Sequence, residues 1–122
     1  MAPSLRDDGW QLESAAARHA EVPNTFQIPD EDVRSRLVPE CDAKLIFTMR
    51  TPDGREAVER MWVQVTGYTD TGYAGVLNNE PKTAGVPLSL GDRIEFGPDH
   101  IIDALPPERW SKEGGWEQRP DP

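Results

Sequence analysis

Asp99, His100 and Asp103 set an imidazole among carboxylates, the residue types of acid–base chemistry near neutral pH. In a strand beginning at His100, that side chain and Asp103 sit three apart and point to opposite faces, while Asp99 falls in a turn. The other imidazole, His19, lies far upstream, and nothing in the sequence brings it to His100. Two histidines and scattered acids lack metal-ligand spacing, so neither a metal nor a cofactor is expected. Cys41, the one thiol, stands between Glu40 and Asp42, whose charges oppose a thiolate, and reads as a packing residue. Ser14, Ser35, Ser89 and Ser111 sit in no nucleophile-elbow context. Gly85, Gly91 and Gly97 are isolated and make no phosphate-cradling loop. The catalytic reading that survives is a small hydrolase or ligand-binding enzyme using His100 with Asp99 or Asp103.

A second set suits binding. Trp62 lies opposite the apolar row Met61, Val63 and Val65, so it faces either a second buried layer or a partner. In the structural reading, an N-terminal helical arm covers it. Gln64 shares its face. Asn78-Asn79-Glu80-Pro81 follows a strand with two residues that tolerate left-handed backbone; it reads as a structured turn, or as amides that meet a ligand. The binding residues expected on these grounds are Trp62, Gln64, Asn78, Asn79 and Glu80.

The elements that must hold these groups are short. Leu45, Phe47 and Met49 alternate with Lys44, Ile46 and Thr48, the period of a half-buried strand. Pro52-Asp53-Gly54 turns it into a second strand, Arg60 to Thr66, and Asp70-Thr71-Gly72 into a third, Tyr73 to Leu77. A polar loop covers Asn78 to Pro87. A fourth strand carries Ile94 and Phe96, and the turn Gly97-Pro98-Asp99 leads to a fifth, His100 to Ala104. Upstream, Gln11 to Ala20 and Asp30 to Leu37 read as short helices bounded by Pro23 and Pro39, with Trp10, Phe26 and Ile28 pinning the arm to the core. The expected fold is α+β: a small, strongly bent antiparallel sheet or partial barrel of about five strands with an N-terminal helical arm. Residues 1–9 are expected to be a flexible N-terminus, 10–105 a single domain, and 106–122 a mobile tail.

The chain has 122 residues, room for one domain with one core, and a net charge of −9 from 13 basic and 22 acidic side chains. Acids outnumber bases in each of the stretches 1–40, 41–105 and 106–122, which argues against nucleic acid and against an anionic membrane surface. No apolar run suits a membrane span, and Met1 to Trp10 lacks the apolar segment of a secretory signal. One cysteine makes no internal disulfide, and a soluble, cytoplasmic protein is expected.

Four stretches in order, Arg60-Met61-Trp62-Val63, Gly75 through Pro81, Leu90 through Phe96 and His100-Ile101-Ile102-Asp103, resemble a family of small bacterial proteins known only as domain of unknown function 2314. Trp10, Leu12-Glu13-Ser14 and Ala17-Arg18-His19 also resemble its longer members, so the likeness runs from about Trp10 to Leu105. Cys41 departs from the pattern, which has glycine before the aspartate that starts the strand. The resemblance implies no reaction and carries over no catalytic residue. By association with small proteins near bacterial conflict systems, it implies an immunity-type or regulatory binding role. The expectation is a non-enzymatic protein-binding module whose partner is another protein. The chain's negative charge favours a basic partner.

Overall fold

The computed structural model describes residues 2–107. Its centre is an antiparallel pair, β2 (Asp42–Arg50) and β3 (Glu56–Tyr68), joined by the Pro52-Asp53-Gly54 turn and in register from Asp42↔Gln64 to Arg50↔Glu56. Alternation sends Ala43, Leu45, Phe47, Met49, Met61, Val63 and Val65 into one core. β4 (Tyr73–Leu77) pairs with β3, and β5 (Arg93–Phe96) with β4, adding Tyr73, Leu77, Ile94 and Phe96 to the same core.

On the other edge of β2 two short strands share the space. β1 (Trp10–Leu12) pairs with Phe47 to Met49, and β6 (Ile101–Leu105) with Asp42 to Leu45. β5 and β6 are joined only by Gly97 and the 3₁₀ turn Pro98–His100. In a flat sheet they would stand four strand spacings of about 4.8 Å apart, near 19 Å, farther than so short a tight turn reaches. The sheet therefore curls. A cleft of about 190 Å³, lined by Trp10 of β1 and Arg93 and Glu95 of β5, marks where its two edges face each other. A bulge at Thr66, where pairing shifts between Val65 and Gly67, adds twist. Gly75 permits the close approach of β4, since a Cβ there would run into the Gln64 carbonyl.

The α+β class and strongly bent antiparallel sheet are as the sequence predicts, with β1 as an additional strand. The helices are shorter than expected. The stretch beginning at Gln11 starts as strand, and only α2 (Ala15–Glu21) is helical, capped by the Ser14 hydroxyl, which accepts the Ala17 N–H at 3.1 Å. The helix expected from Asp30 to Leu37 is the single turn α3 (Glu31–Arg34). Two tyrosines explain its end. The Tyr73 hydroxyl donates to the Arg34 carbonyl at 2.6 Å and accepts the Leu37 N–H at 3.2 Å, and the Tyr68 hydroxyl donates to the Leu37 carbonyl at 3.1 Å. These bonds replace helical ones and drive Leu37 into the core.

Val38-Pro39-Glu40-Cys41 then turns into β2, closed by the Cys41 N–H on the Val38 carbonyl at 3.0 Å. Glu40 takes the left-handed conformation (φ 78°), as the third residue of a type II turn does. Cys41 is fully buried in the core. Leu5–Asp8, in the stretch expected to be a flexible end, forms a helical turn, α1, capped by Ser4 and ended by Gly9. Pro107 is buried, and residues 108–122 of the expected tail, with Trp110 and Trp116, lie outside the described residues.

Candidate functional site

The side of β2 and β3 turned away from the core carries Asp42, Lys44, Ile46 and Thr48 against Gln64, Trp62, Arg60 and Val58. The helical arm covers one end of this face. Ile46 and Thr48 are buried there: Ile46 O accepts the Glu13 N–H at 3.0 Å, and the Thr48 hydroxyl donates to the Glu13 carboxylate at 2.7 Å. Arg60 reaches over the Phe26 ring from the sheet side and Arg18 from α2, at 5.7 and 5.2 Å. His19 fixes the same segment, donating from Nδ1 to the Phe26 carbonyl at 2.7 Å; a carbonyl only accepts, so the proton sits on Nδ1. Phe26 thus ties the arm to the sheet through Arg60 rather than through the core, whereas Trp10 packs on the core and pins β1, its ring 5.9 Å from Phe47.

Trp62 lies one row beyond the arm. It is half-buried, and its cross-strand partner Lys44 places Nζ 5.5 Å from the indole centroid. The loop after β4 is tied to its main chain. Asn79 Oδ1 accepts the Trp62 N–H at 2.5 Å, and the Asn78 N–H donates to the Trp62 carbonyl at 2.8 Å. Of the residues expected to bind, then, Asn79 spends its side-chain oxygen on shaping the turn. Gln64 is half-buried beside Trp62, and Asn78 and Glu80 are exposed.

The same face carries an acid that sequence reasoning missed. Asp42 pairs with Gln64, and its Oδ1 is buried without a hydrogen-bond partner. Burial pushes its carboxyl above the usual carboxylate range, partly offset by hydrogen bonding from the Asn78 side chain. Farther along, Glu59 accepts the Lys82 and Thr83 N–H groups, each at 2.9 Å, and ties down the loop that starts at Asn78.

The second place is the corner between β5 and β6. His100 does not open the last strand, as the sequence led us to expect; it closes the 3₁₀ turn, and β6 begins at Ile101. The reason is Gly97, whose N–H donates to His100 Nδ1 at 3.0 Å and pulls the ring back over the turn. That bond makes Nδ1 an acceptor and leaves the proton on Nε2. Burial lowers the imidazole pKa below its ordinary value, against the pull of the neighbouring Asp99 charge, so the ring is neutral at pH 7.

Asp103 is not with it. Its carboxylate accepts the Ala104 N–H at 2.9 Å, and its register partner is Lys44. Asp99 is adjacent but exposed, in a 3.7 Å ion pair with Arg34. The structure therefore does not assemble a carboxylate–imidazole pair in which His100 is free to take a proton: Nδ1 is engaged and Nε2 already carries one. Among the described residues, no three His, Cys, Asp or Glu side chains stand close enough to hold a metal ion.

A short helical arm laid on a curled antiparallel sheet defines a small α+β half-barrel domain, as the pattern of strands and turns predicts. A family model described as "Uncharacterized protein conserved in bacteria (DUF2314)" matches residues 11–118. The chain belongs to that family. No curated protein and no solved structure matches it closely enough to add a relative. Among the described residues no helix is long and apolar enough to cross a membrane.

Proposed function

We propose that this chain is a non-enzymatic protein-binding module, of immunity or regulatory type, that meets a basic partner through the outward face of β3 and the turn after β4. One observation carries the reading. The arm shields the outward face over Ile46 and Thr48 and reaches Arg60 through Phe26, so Trp62 stands as a half-buried indole on the row beyond it. The helices pack mainly on β1, β2, β6 and the 3₁₀ corner, and α3 also meets β4 through the Tyr73–Arg34 hydrogen bond.

A tryptophan held in place by Lys44 and Asn79 offers a large contact area at little entropic cost, the property that makes this residue common at interface centres. Gln64, Asn78 and Glu80 would supply polar contacts around it, and Asn79 would keep the turn in shape. The net charge of −9 would speed encounter with a positively charged partner and oppose nucleic acid. A cytoplasmic setting belongs to the same reading, in keeping with a single cysteine, buried and outside any disulfide. The alternative, an enzyme built on His100, is disfavoured by the engaged Nδ1 and by the distance in register of Asp103.

The test is a photo-crosslinking residue at Glu80, with Glu21 as the control position, in cells of the source type. Adducts are identified and then measured with purified partner against wild type and Trp62→Ala. The reading expects an adduct from position 80 alone and a loss of affinity of at least about tenfold in Trp62→Ala with the fold intact. A folded Trp62→Ala that keeps full affinity for every captured partner overturns it, as does hydrolytic turnover abolished by His100→Ala.

A further inference from the structure

The corner that disappoints as a catalytic site has the makings of a different one. Between α3 and the Gly97–His100 turn lies a cleft of about 540 Å³, within the size range of small-molecule sites. Arg34 lines it. Its side chain is only 12% exposed, and two of its donors are spent: Nε on the Pro29 carbonyl at 2.9 Å and Nη1 on the Pro98 carbonyl at 3.2 Å. These bonds orient the guanidinium and leave donors on both terminal nitrogens. Its ionic partner among the described residues, Asp99, is 3.7 Å away with a carboxylate 77% exposed, a loose contact in which solvent competes.

The other walls divide into two kinds. Ser35, Thr71 and His100 are neutral polar residues of the lining, and Glu31 and Asp99 are its acids. A planar, poorly solvated guanidinium with neutral polar groups near it suits a carboxylate. The two acids against one cation make a dianion such as phosphate unfavourable and leave an acceptor for a positive group. We propose that this cleft binds a small zwitterion of the α-amino-acid type, its carboxylate on Arg34 and its ammonium on Glu31 and Asp99. A free amino acid and the terminal residue of a short peptide share part of this chemistry; the site as drawn takes the free amino acid, because both charges are needed on one small body. The inference stands on residues apart from the Trp62 face and does not depend on it.

The experiment is a ¹H–¹⁵N NMR titration of the full chain with free amino acids, their N-acetyl forms, their amides, and inorganic phosphate. Saturable shifts at the Gly97 amide and the Arg34 Nε–H are expected for at least one free amino acid, with binding at least about tenfold weaker for its N-acetyl form and its amide. Arg34→Gln should abolish binding. Because that change also removes ties to Pro29 and Pro98, the paired variant Glu31→Gln/Asp99→Asn provides a second arm at exposed positions. It should weaken the free amino acid about tenfold and narrow its advantage over the N-acetyl form. No saturable shift for any free amino acid overturns the proposal, and so does equal binding of the three forms. Tighter binding of phosphate would show an anion site instead and would equally overturn it.

Discussion

Asn79 Oδ1 accepts the backbone N–H of Trp62 at 2.5 Å, so a side chain of the loop after β4 continues the pairing along β3 one residue past Val63↔Leu77. The contact joins the two parts of the proposed binding face. Asn79→Ala removes the acceptor and leaves a part-buried N–H unpaired, an expected loss of about 1–2 kcal/mol in urea unfolding. Asn79→Asp, which keeps an acceptor oxygen, should recover most of that loss. Amide hydrogen exchange at Trp62 reads the same bond directly: faster in the Ala variant, near wild type in Asp.

Tyr73 should be costlier to alter than its size suggests. Tyr73→Phe keeps the ring contacts with Tyr68 and Phe96 but leaves the buried Leu37 N–H without the hydroxyl. A loss of about 2 kcal/mol is expected. Tyr68→Phe, at an exposed side chain with one such bond, should cost about 0.5–1 kcal/mol. Equal effects on the denaturant midpoint would contradict this account of why α3 stops.

Gly75→Ala is expected to be among the most damaging single changes. The new methyl meets the Gln64 carbonyl, backbone rather than a flexible side chain, and lies 2.8 Å from Val63 Cγ1. A destabilisation of about 3 kcal/mol or more, or failure to accumulate folded protein, is the expected result. Gly67→Ala, on the same hairpin with open space around it, is the control and should be close to neutral.

Stability should fall with acid in separable stages. His100 has its pKa lowered in the fold, chiefly by burial, from an ordinary 6.5. The unfolded chain therefore takes up its proton first: its contribution is whole above pH 6.5 and is lost as the pH falls from there through the folded value. Glu59 is also lowered, from 4.5; burial acts the other way but is outweighed by the Lys82 and Thr83 hydrogen bonds. Its share is whole above 4.5 and disappears below. Asp42, raised by burial from 3.8, has the opposite sign and gains on protonation. Urea midpoints across pH should show the upper stage flattened in His100→Gln and the lower one flattened in Glu59→Gln.

Much of this architecture is legible along the chain because its signals are local. Alternation around Leu45, Phe47 and Met49 and from Met61 to Val65 needs only the period of a strand, and Pro52-Asp53-Gly54 needs only its own turn preferences. The face shared by Trp62 and Gln64 follows from the same period. What local patterns do not contain is pairing. Only strand register sets Lys44 beside Trp62 and Asp42 beside Gln64, and only the curl of the sheet brings Tyr73 to Arg34 and ends a helix that its own residues would continue. His100 reads as the start of a strand until Gly97 N–H captures its ring. Nothing in the helical stretch from Asp30 singles out Arg34, which is buried because its guanidinium docks on the Pro98 carbonyl. Side-chain alternation is dictated within a few residues, whereas the partners of a buried polar group are dictated by chain segments far away in sequence. The faces were therefore settled by the sequence alone, and the chemistry of each face by the fold.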